Sequence, residues 1–144
     1  PTEDYKSNYI DSPNTPLYPF GHGLSYTTFE YSEIKLSNNK VRESEILKVS
    51  SIITNTGEYD GHEVVQLYIH DKVASITRPV KELKDFKKIF LRKGESKTVT
   101  FEINSDDLKF YNNGKLMIES GEFEIAISGT SDFEFNKTFN LTLN

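Results

Sequence analysis

Short runs in which apolar and polar residues alternate constrain the fold of this chain more than any other feature. Val99, Phe101 and Ile103 alternate with polar neighbours, the pattern of a strand that is buried on one face. No segment keeps a helical period over three turns. The same period of two recurs in runs with the apolar members Leu47, Val49 and Ile53; Val65, Leu67 and Ile69; Phe123, Ile125 and Ile127; and Phe133, Phe135, Phe139, Leu141 and Leu143. The chain is therefore predicted to be all-β.

Turn residues between these runs indicate how the strands connect. Asn113-Gly114 is typical of a tight hairpin turn, because both residue types tolerate a positive φ. The run at Val65 is apolar on both faces and predicts a central strand. The first run changes phase between Tyr31 and Ile34, which predicts a bulge. About seven strands spaced by about 10 to 14 residues favour an antiparallel β-sandwich over residues 27–144.

Residues 1–26 have a different composition. Four of the five prolines lie in the first 19 residues, and each removes a backbone donor, so this stretch cannot be an interior strand. Its end is too apolar for a solvated linker, since exposed apolar residues at that density indicate a docking surface. We predict an extended lead, or strap, whose docking residues are Leu17, Tyr18, Phe20, His22, Leu24 and Tyr26.

Composition excludes several classes of function. With 17 basic and 22 acidic side chains the net charge is −5, so the chain lacks the basic surplus of proteins that bind nucleic acid or anionic membranes. No apolar run approaches the roughly 18 to 20 residues of a membrane span. The absence of Cys excludes disulfides and thiolate sites. Because the chain starts at Pro1 and its single methionine is Met117, we expect it to be part of a longer protein.

No catalytic, metal or cofactor site is predicted. His62 and His70 lie eight residues apart on one predicted strand, roughly 26 Å at 3.3 Å per residue, so they cannot share an ion. None of the carboxylates stands out as an acid and base pair. The chain also lacks the Gly-x-Ser-x-Gly motif of a serine nucleophile.

The loop at 71–79 interrupts two predicted strands. Asp71 and Arg78 flank it and could form a charge-assisted clamp, whereas an exposed ion pair of this kind contributes only roughly 0 to 1 kcal/mol. Pro79 ends any ladder there. We predict a rim loop with Asp71, Ser75, Arg78 and Pro79 as its candidate residues.

Sugar stacking is the alternative binding chemistry. The candidate platforms are Tyr59, Tyr68, Phe110 and Tyr111, although Trp is absent and no planar row is evident. A role in the core is the competing interpretation. An independent carbohydrate-binding module therefore stays open as an alternative, whereas an adhesion domain has little support because no Arg-Gly-Asp is present.

Several ungapped blocks then suggest a family. They are residues 16–31 (PLYPFGHGLSYTTFEY), 54–57 (TNTG), 61–69 (GHEVVQLYI), 78–86 (RPVKELKDF), 93–96 (KGES) and 121–123 (GEF). Together they resemble the segment that joins the catalytic part of glycoside hydrolase family 3 enzymes to a C-terminal fibronectin type III-like domain, and that domain itself. Residues 5–11 are similar to the run before this segment in bacterial periplasmic β-glucosidases.

The resemblance implies a fibronectin type III-like, immunoglobulin-like sandwich from a bacterial enzyme that cleaves terminal β-glucosidic or β-xylosidic bonds with retention. The nucleophile and acid/base of such enzymes lie on other domains, and no position here matches their motifs. The implied partners are the catalytic domains of the same parent chain, with oligosaccharide bound only through that parent. The implied role is docking and stabilisation, with no cofactor, and the implied location is periplasmic or secreted.

Overall fold

The computed structural model describes residues 27–72 and 81–143. Within these ranges the chain forms eleven strands and one short 3-10 helix. The strands are β1 (Phe29–Tyr31), β2 (Lys35–Leu36), β3 (Lys40–Arg42), β4 (Leu47–Asn55), β5 (Gly61–Asp71), β6 (Glu82–Leu91), β7 (Ser96–Ile103), β8 (Phe110–Asn112), β9 (Lys115–Met117), β10 (Gly121–Ser128) and β11 (Lys137–Thr142), and the helix is Ser105–Leu108. The predicted all-β architecture is confirmed.

The strands form two main sheets and a hairpin. In the first sheet β4 pairs with β7 along one edge, and β1 and β2 share its other edge. The second sheet has the order β3-β11-β10-β5-β6, so β5 is an interior strand, as predicted. Strands β8 and β9 form a separate hairpin. All pairings are antiparallel except that of β3 with β11.

The core lies between the two sheets, because the apolar members of the alternating runs point inward. In β4 every second residue from Leu47 to Asn55 is buried, including Ser51, whose hydroxyl donates to the Ser32 carbonyl at 2.9 Å. The largest side chains in the core are phenylalanines, and the Phe123 and Phe139 rings stack at 5.3 Å. The period-two pattern was therefore sufficient to predict most of the core.

The irregularity in the first predicted strand is confirmed. The register on β4 changes by one residue between the pairs Tyr31↔Ile53 and Lys35↔Ser50. One extra residue on this side divides the predicted strand into β1 and β2, which explains the change of phase.

The Asn113-Gly114 hairpin is also confirmed. Asn113 and Gly114 have φ values of 54° and 78° and connect the pair Asn112↔Lys115, as expected of a type I′ turn.

The last predicted strand is too long. We expected it to run from Phe133 to Leu143, but β11 covers only Lys137–Thr142. Phe133 instead packs against Tyr68 on the outer face of the second sheet, with ring centroids 5.0 Å apart. Alternation of apolar and polar residues therefore cannot distinguish a β-strand from a connecting segment that packs every second aromatic ring against a sheet.

Candidate functional site

The described part of the chain begins at Thr27 and Thr28, which follow the predicted lead in the sequence. The Thr27 hydroxyl donates to Asn55 Oδ1 at 2.5 Å, and the Thr28 carbonyl accepts a hydrogen bond from the Thr56 amide at 2.9 Å. A Cβ added to Gly57 would lie 2.8 Å from Thr27 Cα and 2.6 Å from Thr28 N, so only glycine permits this approach. We call Thr27, Thr28, Asn55, Thr56 and Gly57 the lead anchor.

Asn55 is the centre of the lead anchor. Its side chain is fully buried, and its amide nitrogen donates to the Tyr59 carbonyl at 2.8 Å and the Leu91 carbonyl at 3.1 Å. Its Oδ1 also accepts from the Gly57 amide at 3.0 Å. One buried amide thus ties Thr27 to the β4–β5 loop and to the end of β6.

A second polar contact connects the two sheets. The Tyr31 hydroxyl in β1 donates to Glu63 Oε2 in β5 at 2.7 Å. Burial raises the pKa of Glu63 to about 7, although the hydrogen bonds from Tyr31 and from the Val64 amide oppose this shift. Burial, together with the adjacent Glu63, raises the pKa of Tyr31 well above its ordinary value. Near pH 7 this carboxyl group is therefore close to its titration midpoint.

Of the predicted rim-loop residues, only Asp71 is in the described part of the chain. It is buried at the end of β5, opposite Phe123 of β10. Beside it, Lys72 pairs with Glu122 at 3.3 Å. Ser75, Arg78 and Pro79 lie outside the described residues, so the predicted clamp between Asp71 and Arg78 stays a prediction.

The predicted docking residues of the lead also lie outside the described residues. They are Leu17, Tyr18, Phe20, His22, Leu24 and Tyr26. The structure therefore defines the point to which they connect, at Thr27, and leaves their docking role as a prediction.

The two described histidines lie in β5, on one strand as predicted. His62 contacts Phe90, with ring centroids 4.9 Å apart, and His70 Nε2 lies 4.0 Å from Glu124 Oε1. Within residues 27–72 and 81–143, no three His, Asp or Glu side chains are grouped so as to hold a metal ion. The same ranges contain no helix long and apolar enough to cross a membrane.

The candidate sugar platforms do not come together. Tyr68 and Phe110 are buried, whereas Tyr59 and Tyr111 are exposed. Tyr59 follows the Asn55 end of β4, and Tyr111 follows the opposite end of the sandwich, where Leu47 pairs with Ile103. The eight residue pairs between β4 and β7 span roughly 23 Å from one end to the other, which is too far for one stacking surface.

A shallow cleft separates the edges of the two sheets between β1–β2 and the segment that enters β11. The Lys137 ammonium group lies across the cleft, 2.8 Å from Glu33 Oε2. The hydrogen bond that it donates there lowers the pKa of the Glu33 carboxyl group. Glu33 is exposed and Lys137 is half-buried, so solvent screens this ion pair and it contributes little to stability.

Sequence reasoning missed both Asn55 and the pair of Tyr31 with Glu63. A signal existed for Glu63, because it has the same phase as Val65 and Leu67 and therefore points into the sandwich. Asn55 likewise continues the buried phase of β4. A polar residue in a core-facing position indicates a buried hydrogen bond, but its partner cannot be read from the chain order.

Comparison with known proteins identifies the kind of domain. Residues 63–131 match the fibronectin type III-like domain family. A β-xylosidase of Formosa agariphila is 45% identical over 139 residues, which is 96% of this chain and 19% of that protein. A periplasmic β-glucosidase of Salmonella typhimurium is 48% identical over 124 residues, covering 85% of this chain and 16% of the relative.

Solved structures agree with these sequence relatives. The chain superimposes on part of a β-glucosidase from Erythrobacter marinus with a TM-score of 0.76 and 40% identity, over 94% of this chain and 18% of that one. A β-glucosidase from Listeria innocua in complex with glucose gives a TM-score of 0.73 at 40% identity, over 96% of this chain and 19% of that one. The chain thus spans less than a fifth of the length of the relatives it matches.

Proposed function

Residues 63–131 belong to a fibronectin type III-like domain that is homologous to part of β-glucosidases and β-xylosidases, and from this assignment we propose that the chain is an accessory module of such an enzyme. The module is non-catalytic. It docks on the catalytic domains of the same parent polypeptide and stabilises them. The parent hydrolyses terminal β-glucosidic bonds with retention, or the corresponding xylosidic bonds, and oligosaccharide is bound only by the catalytic domains.

The observation that carries this proposal is the unequal coverage of the two sequences in each comparison. The chain aligns over 96% of its own length with a β-xylosidase of which it covers 19%. The same holds for the β-glucosidase structures, at 18% and 19%. A module that makes up less than a fifth of such proteins leaves room for the active site elsewhere.

The lead anchor supports the docking role. In this proposal residues 1–26 are the strap and residues 27–144 are the sandwich. Asn55 holds Thr27, the residue that directly follows the strap, by accepting a hydrogen bond from its hydroxyl. Burying one large apolar side chain contributes roughly 1.5 to 3 kcal/mol, and Leu17, Tyr18, Phe20, Leu24 and Tyr26 therefore supply enough area for a stable contact.

The test is a pair of substitutions in the full-length parent polypeptide. We expect Tyr18→Ala with Phe20→Ala to lower its melting temperature, because the strap would lose two of its largest apolar side chains. The matched control is Tyr59→Ala with Tyr111→Ala, which removes two exposed aromatic side chains from the sandwich itself. An unchanged melting curve for the strap variant, or an equal loss in both, would contradict the docking role.

The alternative is a carbohydrate-binding module that targets the enzyme to a glucan or xylan. Tyr59 and Tyr111 are exposed aromatic side chains of the kind that stack on sugar rings, although they lie at opposite ends of the sandwich. Calorimetry of this chain with soluble glucans and xylans distinguishes the two roles. Binding tighter than roughly millimolar favours the alternative, and the absence of heat favours the accessory module.

A periplasmic or secreted location is part of the proposal. It is supported by the Salmonella typhimurium relative, which is described as periplasmic. The lack of cysteine in the chain means that its folding does not depend on the redox state of that compartment.

A further inference from the structure

The outer face of the second sheet is covered unequally. Over β5 and β10, the segment of residues 129–136 lies against the sheet and places Phe133 on Tyr68. Lys81 fixes this segment, since its ammonium group donates to the Ser131 carbonyl at 2.7 Å and to the Phe133 carbonyl at 2.5 Å, and lies 4.2 Å from the centre of the Phe133 ring. Gln66 adds a hydrogen bond of 2.9 Å to the Gly129 carbonyl.

The other half of this outer face, on β6 and the adjacent part of β5, is open. Phe86 is 61% exposed, Leu83 50%, Phe90 43% and Val64 40%. They follow one another along this face, because the register pairs Tyr68 with Leu83, Gln66 with Phe86, Val64 with Lys88 and His62 with Phe90. We call Val64, Leu83, Phe86, Lys88 and Phe90 the β6 face.

The β6 face lies in a locally basic part of an acidic chain. Residues 81–93 contain six Lys or Arg and two Asp or Glu, whereas the whole chain has a net charge of −5. Two of these cations are neutralised locally, Lys84 by Glu82 at 3.1 Å and Lys93 by Glu58 at 3.2 Å. Lys88 forms no ion pair within residues 27–72 and 81–143 and stays exposed between the two rings.

We propose that the β6 face is the surface by which the sandwich contacts the rest of its parent polypeptide, at an apolar patch that carries carboxylates. This inference rests on the proposed function and names the surface that serves it. Exposed aromatic side chains such as Phe86 and Phe90 are enriched at protein interfaces, where buried aromatic anchors contribute much of the binding energy. The partner carboxylates follow from charge complementarity with Lys88 and its basic neighbours.

Two observations favour this partner over a polysaccharide. Val64 and Leu83 are aliphatic and offer no flat ring for a sugar to stack on, and neither phenylalanine can donate or accept a hydrogen bond. The relatives matched here extend over more than four-fifths of their length beyond this chain, so a large polypeptide surface is available in proteins of this kind.

The experiment measures thiol labelling of the full-length parent polypeptide. Because this chain has no Cys, Lys88→Cys introduces a unique thiol in its own peptides, which peptide-level mass spectrometry can follow. The matched control is Lys97→Cys, an exposed position on β7 in the other sheet. We expect the thiol at position 88 to be labelled at least about tenfold more slowly than that at 97, since labelling then requires local opening. Adding Phe86→Ser with Phe90→Ser to Lys88→Cys should restore the fast rate.

Other outcomes would overturn the inference. Equal labelling at positions 88 and 97 means that the β6 face is open in the parent. Protection that appears only on adding a glucan or xylan assigns the face to carbohydrate, and protection that depends on protein concentration assigns it to a second copy. If the thiol at position 88 is labelled fast and the strap variant still has a lower melting temperature, the docking role is supported and only the assignment of the β6 face is rejected.

Discussion

The Tyr31 hydroxyl in β1 donates a hydrogen bond of 2.7 Å to Glu63 Oε2 in β5, and this side-chain hydrogen bond joins the two sheets of the sandwich. Gly129 closes over this pair, because a Cβ at that position would lie 2.9 Å from the Tyr31 oxygen and 3.2 Å from Glu63 Cδ. The carboxyl group therefore has little contact with water, which explains why its pKa is raised.

The pH dependence of stability follows from this raised pKa. The folded state binds the Glu63 proton more tightly than the unfolded state, whose ordinary pKa is 4.5. The stabilisation is thus complete below pH 4.5 and is lost as the pH rises to about 7, and the free energy of unfolding should fall by up to about 3 kcal/mol over this window. Denaturant unfolding at several pH values measures it.

Glu63→Gln is the control for this prediction, because glutamine keeps an acceptor for Tyr31 but does not titrate. Between pH 4.5 and about pH 7 the unfolding free energy of the wild type should fall relative to that of the variant. A constant difference from pH 4.5 to pH 8 would show that Glu63 titrates normally.

Gly129→Ala should destabilise the sandwich by about 1 to 3 kcal/mol, because the new methyl group must displace the Tyr31–Glu63 pair. Combining it with Glu63→Ala tests this cause, since removal of the carboxylate makes room for the methyl group. A double-mutant cycle by denaturant unfolding should give a coupling of about 1 kcal/mol or more. Additive effects would mean that the cost arises from the backbone instead.

Asn55→Ala should reduce stability by about 2 kcal/mol or more, because it leaves two carbonyls and an amide near the lead anchor without their partner. The matched control is Asn38→Ala, at an exposed position with one long hydrogen bond of 3.4 Å, which should cost much less. Thermal unfolding of both variants provides the comparison, and equal effects would contradict a special role for Asn55.

Gly114→Ala should destabilise the β8–β9 hairpin by about 1 kcal/mol through backbone strain alone. Its φ is +78°, and an added Cβ would meet nothing within 4 Å. Asn113→Gly tests the same turn, because glycine also accepts a positive φ, and it should be nearly neutral. Destabilisation by both substitutions would indicate that side-chain contacts, and not backbone conformation, stabilise the turn.

Alternation predicted strands where a single face is buried, and it failed where a connection mimics a strand. Leu47, Val49 and Ile53 point inward as expected. Phe133 and Phe135 have the same spacing as strand residues, but they lie over the outer face of the second sheet. The spacing indicates only that the Phe133 and Phe135 rings point the same way. Which surface the Phe133 ring packs against depends on its contacts with Tyr68 and Lys81, which are distant in sequence.

For the candidate sites too, some features could be predicted from the sequence and others could not. The apolar character of the lead and the basic composition around Lys88 can be read from the chain directly. Lys88 lies between two exposed rings and opposite Val64. This position can be known only from the pairing of β6 with β5, whose register shifts at a bulge between Leu67 and Tyr68. A bulge shifts which side chains share a face, so composition alone could not identify this surface.

By itself, the sequence determined that the chain folds as β-strands with period two and that a tight turn lies at Asn113-Gly114, and it shows that residues 1–19 are rich in proline. Those properties depend on neighbouring residues only. The tertiary structure decided that Asn55 holds Thr27, that Tyr31 meets Glu63 across the sandwich, and that the side chains of one half of an outer face stay exposed. These contacts join residues about 30 positions apart, and their geometry arises only when the two sheets pack.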